Sequence, residues 1–262
     1  MPQGPWSPLR LAFDGFRGTS PPRALVNAQA AIIAKNAGRL ALVVLVWAGC
    51  ERSGGPGADR ARSATPAAAP SSSASRPVIP PVILCVGTSL TAGLGLDPEQ
   101  AYPSLLQAKV EADGLAYRVV NAGVSGETSA GALRRMDWLL RQQVAVLLVE
   151  TGANDGLRGH DPQSTRANIQ AILDRARGHS PPPKLVLVAM EALPNYGPEY
   201  VRTFRALYPE LARKNGATLV PFPLEGVAGV PALNQLDGIH PTAEGQKRLA
   251  ENIWRVLRPL LY

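Results

Sequence analysis

The sequence predicts a three-layer α/β/α sandwich around a five-stranded parallel sheet, and three observations predict it. Five short runs rich in Val, Ile and Leu occur from residue 81 onward without polar alternation, the pattern of strands covered on both faces. Stretches with apolar residues at helical spacing separate those runs. Alternating strands and helices, joined by right-handed crossovers, pair in parallel. Finally, the alternation begins only at residue 81, after a chain of quite different composition.

Residues 1–49 are expected to form a leader. Lys35 and Arg39 precede the apolar run from Leu40 to Trp47, and Ala48-Gly49-Cys50 follows it. Positive charge, a short apolar run and then small residues make an export signal, too short to span a bilayer. Small residues directly before a cysteine also resemble a bacterial lipobox with Cys50 as the lipidated residue, although Trp47 stands where an aliphatic residue is usual. A plain export signal with an incidental Cys50 is the alternative. The stretch ahead of the charged segment is long, which fits a translation start downstream of Met1; no Met occurs between Met1 and Met136, so such a start would use a non-Met codon. The expected location is therefore outside the cytoplasm, in the periplasm, with a membrane anchor if Cys50 carries lipid.

Residues 50–80 read as a flexible linker. Ser53-Gly54-Gly55-Pro56, Ala67-Ala68-Ala69-Pro70 and Ser71-Ser72-Ser73 offer too few large apolar groups to offset the entropy of ordering. Such a tether has an r.m.s. reach of roughly 30 Å. Leader and linker also carry most of the basicity. Residues 1–49 hold five basic groups and one acid, and residues 50–80 four and two, so +1 of the formal +7 is left for 81–262. A nucleic-acid partner is excluded on that ground. With Cys50 lipidated, Cys85 has no disulfide partner, and its apolar neighbours make it a buried strand residue.

Within 81–262 the expected strands are 82–86, 118–120, 144–149, 184–189 and 218–220. Tyr102, Leu105, Leu106 and Val110 mark the first long helix, closed by Gly114. Leu133, Met136, Leu139 and Leu140 mark the next. Asp161 and Pro162 form an N-cap and a first-turn proline ahead of Ile169, Ile172 and Leu173. The last helix is expected to start at Pro241 and to bury Leu249, Ile253, Val256, Leu257 and Leu260.

Four tracts carry chemistry. Ser89 lies in Gly87-Thr88-Ser89-Leu90-Thr91-Ala92-Gly93, just past the first strand. A serine hydroxyl needs a base to become nucleophilic, and among three histidines His240 is the best placed. Asp237 three residues earlier can face its Nδ1 and leave Nε2 for the serine. His179 lies in a polar proline turn, and His160 in the loop after Asn154. The amide of Asn154 and the backbone N–H groups of Gly126 and Ser89 are candidate donors to an oxyanion. Each feature alone has a plain reading as a turn or surface residue; the set is far more specific. No G-x-S-x-G elbow surrounds any serine, which disfavours the α/β-hydrolase fold. A metal site of Asp237, His240 and Asp155 lacks a second well-placed histidine.

Ser89, Gly126, Asn154 and His240 occur in the order of the four residues that name the SGNH (GDSL) hydrolases, and 81–262 resembles that family throughout. Asn154-Asp155-Gly156-Leu157-Arg158-Gly159, Pro194-Asn195-Tyr196-Gly197 and Asp237-Gly238-Ile239-His240-Pro241 resemble its bacterial periplasmic thioesterase/lysophospholipase (arylesterase) branch. The resemblance implies a flavodoxin-like sheet, a Ser89–His240–Asp237 triad, no metal or other cofactor, and hydrolysis of acyl esters or thioesters through an acyl-enzyme. Leu157, Arg158 and Leu193 are then candidate substrate contacts. The family's usual aspartate before the nucleophile is Thr88 here. Two alternatives stay open at this stage: an O-acetyl esterase acting on envelope carbohydrate, and a ligand-binding lipoprotein without catalysis.

Overall fold

Five parallel strands form one sheet in the order β2-β1-β3-β4-β5. They are β1 (Val82–Gly87), β2 (Arg118–Gly123), β3 (Val144–Val149), β4 (Lys184–Val188) and β5 (Thr218–Val220). The computed structural model describes residues 80–262; the leader, the linker and Cys50 lie outside the described residues. Branched and aliphatic side chains dominate because β1 and β3 are central and covered on both faces. Ile83, Leu84, Cys85 and Val86 are fully buried, as are Leu147, Leu148 and Val149. Burial pushes the Cys85 thiol up to about 12, which keeps it protonated and inert.

β2 departs from the expectation in two ways. It runs three residues further, to Gly123, and its side chains are half-buried or exposed because it forms an edge of the sheet. That edge is blunted by side chains. Gln107 Oε1 accepts the Val119 N–H at 2.6 Å, and Arg135 Nη2 donates to the Ala122 carbonyl at 2.6 Å. Both capped groups are withdrawn from pairing with another chain.

The helices are α1 (Ser89–Ala92), α2 (Tyr102–Ala112), α3 (Ser129–Leu139), α4 (Ala153–Leu157), α5 (Pro162–Arg177), α6 (Pro198–Asn215) and α7 (Ala243–Leu257). α2 packs with α7 on one face; α3 packs with α5, and α5 with α6, on the other. In α2, Tyr102, Leu106 and Val110 are buried, and the N–H of Leu115 returns to the Val110 carbonyl past Gly114 at φ 67°. α5 starts as its sequence demands, with the Asp161 carboxylate accepting the Gln163 N–H at 3.0 Å. α7 starts at Ala243, two residues later than expected, because Pro241 is held in an antiparallel bridge to Asn234. Thr242 caps it instead, accepting the Gly245 N–H. Val256 and Leu260 are only partly buried. α6 was not among the expected elements.

Chain order reverses at β1, whose neighbours β2 and β3 are reached in opposite directions. A crevice opens at such a switch point beyond the carboxyl ends of the strands. The loops after β1 and β3 flank it, and they carry Ser89 and Asn154.

Candidate active site

Ser89 is the first residue of α1, immediately past β1. The turn into that helix is tight. A Cβ on Gly87 would lie 1.9 Å from Thr91 Oγ1 and 2.7 Å from Glu150 Oε2, so only glycine fits. Thr88 is buried beneath the nucleophile loop, where its N–H and hydroxyl donate to Glu150 at 2.9 and 3.0 Å. Thr91 Oγ1 also donates to Glu150, at 2.8 Å, and is itself 2.8 Å from the Tyr102 hydroxyl. Burial raises the Glu150 carboxyl above its ordinary value, against the pull of these donors. Gln246 of α7 ties the layer to α2 by accepting the Tyr102 N–H at 3.0 Å and donating to the Leu90 carbonyl at 3.2 Å.

His240 and Asp237 come from a small hairpin whose ends are joined at Asn234 and Pro241. Asp237 Oδ1 accepts the N–H groups of Ile239 and His240 at 2.9 and 3.0 Å, folding the loop around its own carboxylate. Its Oδ2 lies 2.6 Å from His240 Nδ1. These hydrogen bonds, those of His240 first, hold the Asp237 carboxyl down at about 2. The carboxylate can only accept, so Nδ1 carries a proton and Nε2 is the free base. His240 Nε2 lies 2.9 Å from Ser89 Oγ, across 151 residues of chain. Gln235 locks this approach by donating to the Leu94 carbonyl at 2.7 Å, so the hairpin and the nucleophile loop are bonded to each other.

Asn154 follows β3 in α4, half-buried, and its Nδ2 donates to the Glu127 carbonyl at 3.0 Å. One amide proton is thereby committed, and the second remains available to donate. Gly126 sits in the facing loop at φ 77°, a conformation open to glycine at little cost. Arg158 Nη2 donates to its carbonyl at 3.0 Å. Leu157 and Leu193 are both exposed at the carboxyl edge, as are Leu94, Val124, Tyr196, Leu236 and Ile239 from the other loops there. His160 and His179 are exposed. His160 Nδ1 stands 3.9 Å from Asp155, and the buried Asp155 carboxylate bonds to Ser129 at 2.6 and 2.8 Å.

Sequence reasoning missed Glu150, Thr91, Tyr102 and Gln246. Glu150 alone left a signal, an acid ending an otherwise apolar strand run. The assembled groups can activate a hydroxyl, hold an imidazole in one tautomer and donate to a developing oxyanion.

Residues 85–248 match the family model described as GDSL-like lipase/acylhydrolase. The chain is 44% identical over 180 residues to the esterase TesA of Pseudomonas aeruginosa, covering 68% of this chain and 89% of that one. It is 39% identical over 180 residues to the thioesterase 1/protease 1/lysophospholipase L1 of Escherichia coli, covering 68% and 84%. Among solved structures it resembles the psychrotrophic esterase EstA of a Pseudoalteromonas species, inhibited by monoethylphosphonate, at 33% identity and a TM-score of 0.65, covering 69% of this chain and 98% of that one.

Proposed function

The chain belongs to the GDSL-like lipase/acylhydrolase family, and we propose that it cleaves acyl esters and thioesters with Ser89 as nucleophile, His240 as base and Asp237 orienting the imidazole. The observation that carries this reading is the Ser89–His240–Asp237 chain, at 2.9 and 2.6 Å. His240 Nε2 takes the Ser89 proton as Oγ bonds to the acyl carbon, and the carbonyl electron pair moves onto oxygen. The Ser89 and Gly126 N–H groups and the free Asn154 amide proton receive that oxyanion. His240 then protonates the departing alkoxide or thiolate, leaving an acyl-enzyme. Water gives its proton to His240, attacks the same carbon, and releases the acid while Ser89 regains its proton.

The exposed apolar residues around the crevice favour acyl chains longer than acetyl, so we set aside the O-acetyl carbohydrate reading. Each methylene that the rim buries is worth about 0.8 kcal/mol, or about fourfold in kcat/KM. The leader and linker support export to the periplasm and attachment through a lipid on Cys50. The deciding experiment is hydrolysis of p-nitrophenyl esters of stepped chain length, with covalent capture by a fluorophosphonate. Ser89→Ala should abolish both turnover and labelling; full activity in that variant would refute the assignment.

A further inference from the structure

The oxyanion donors Gly126 and Asn154 stand on different loops, one before α3 and one after β3. Their separation has to be held to a few tenths of an ångström for both to meet one oxygen. Three sets of bonds cross between these loops. Asn154 Nδ2 reaches the Glu127 carbonyl and Arg158 Nη2 the Gly126 carbonyl, each at 3.0 Å. The third set is made by Asp155, whose carboxylate accepts the Ser129 N–H at 2.8 Å and the Ser129 hydroxyl at 2.6 Å. Both partners of this third set are buried, Asp155 at 2% exposed and Ser129 at 0%. Thr165 Oγ1 also donates to it, at 3.4 Å, and Asn168 Nδ2 donates to Ser129 Oγ at 3.0 Å.

The place of this bond in the fold explains its use. Thr128 is the N-cap of α3 but makes no side-chain cap bond. The first turn of α3 has no acid of its own either. Asp155 supplies both needs from outside the helix, an acceptor for an orphan N–H and a negative charge at the positive helix end. Ser129 and Thr165 both donate to this carboxylate. An amide in its place would lose the negative charge at the helix end and exchange one acceptor for a donor, which the Ser129 hydroxyl could meet only by reversing its own bond.

We infer that Asp155 is a positioning residue, which caps α3 across the crevice and so fixes Gly126 and Asn154 at the spacing of one oxyanion. The inference rests on the reading of those two residues as donors. Asp155 touches no reacting atom and acts only through its neighbours in the chain and through Ser129.

A double-mutant cycle tests it. Asp155→Asn should lower kcat on a p-nitrophenyl ester by about ten- to a hundredfold and leave KM within about threefold, since misplaced donors weaken transition-state binding alone. Asn154→Ala should lower kcat by about 10²–10³. In the double variant the two losses should overlap, leaving at least tenfold more activity than their product predicts. Independent, multiplying losses would overturn the inference, as would an Asp155→Asn enzyme with unchanged kcat. If Asp155→Asn does not fold, Ser129→Ala carries the same cycle with the same criteria. It deletes the 2.6 Å bond to Asp155 together with the one from Asn168 but keeps the Ser129 N–H bond, and Asn168→Ala is the control for the second loss. An Asn154→Ala enzyme of full activity would instead bring down the donor assignment beneath it, so the two failures are told apart.

Discussion

Thr88 and Glu150 show how far a single position can be read alone. The sequence presents Thr88 as a departure from the family's aspartate, a residue without its charge. The structure supplies its partner, a carboxylate 62 residues away that accepts both the Thr88 N–H and its hydroxyl. No local pattern encodes that pairing, because it depends on β3 lying beside β1. A hydroxyl suits the site, since Glu150 is already surrounded by donors and a second carboxylate there would need a shared proton. Burial is the largest influence on Glu150 and raises its folded pKa above 4.5. The folded state therefore binds this proton more tightly than the unfolded chain. That contribution to stability is fully present below pH 4.5 and is lost as pH rises through the folded pKa. Glu150→Gln removes the titration. Thermal melts of both proteins from pH 4 to pH 8 should show the wild type losing ground to the variant as pH rises. A Tm difference independent of pH would contradict the argument. Asp237 has the opposite sign: its stabilisation is present above 3.8 and is lost only as pH falls toward about 2.

Among the elements, the strands were the most legible, because a doubly covered strand is apolar at every position and needs no context to be seen. The edge strand β2 was legible only in its first half; Asn121, Ala122 and Gly123 carry no large apolar side chain to announce them. α6 was invisible for a different reason. It opens on Gly197-Pro198, holds Pro209 inside, and builds its buried stripe partly from aromatics, Phe204 and Tyr208 beside Leu207 and Leu211. Tertiary packing outweighs the proline here. That stripe bears on the candidate site. The hydroxyls of Tyr196, Tyr200 and Tyr208 donate to the carbonyls of Leu157, His160 and Thr151 at 3.2, 2.7 and 2.9 Å, clasping the Asn154 loop from outside. Aromatic contacts link them in a row, tilted between Tyr196 and Tyr200, stacked between Tyr200 and Phe204, and edge-on between Phe204 and Tyr208. Tyr208 is fully buried, so Tyr208→Phe leaves a buried carbonyl short of a donor and should cost about 1–3 kcal/mol. Tyr200 is half-exposed; water can replace its hydroxyl, and Tyr200→Phe should cost less than about 1 kcal/mol. Urea midpoints at constant slope measure both, and equal or reversed costs would refute the clasp as drawn.

At the scale of the molecule, the sheet sets where everything else attaches. All strands run the same way, so the chain enters β1 at the amino edge while Ser89, Gly126 and Asn154 leave from the carboxyl edge. Val82, the first residue of β1, therefore lies at the end of the sheet remote from the candidate site. The buried core extends from Val82 to Leu261, and every candidate catalytic residue lies within those bounds. We propose a catalytic domain of 81–262 carried on a linker of 50–80 and a leader of 1–49, with Cys50 as the anchor. A domain so organised should work without its tether. Residues 81–262, expressed alone, should fold with a cooperative melt and hydrolyse a soluble p-nitrophenyl ester with kcat/KM within about twofold of the full chain. The full chain, produced in an exporting bacterium, should yield a mature form that begins at Cys50 and carries the added mass of acyl groups. The two readouts separate the claims, since an intact Gly49–Cys50 peptide rejects the anchor without touching the domain. A slow or unfolded 81–262 fragment rejects the domain boundary, because every residue assigned to the candidate site lies within 81–262.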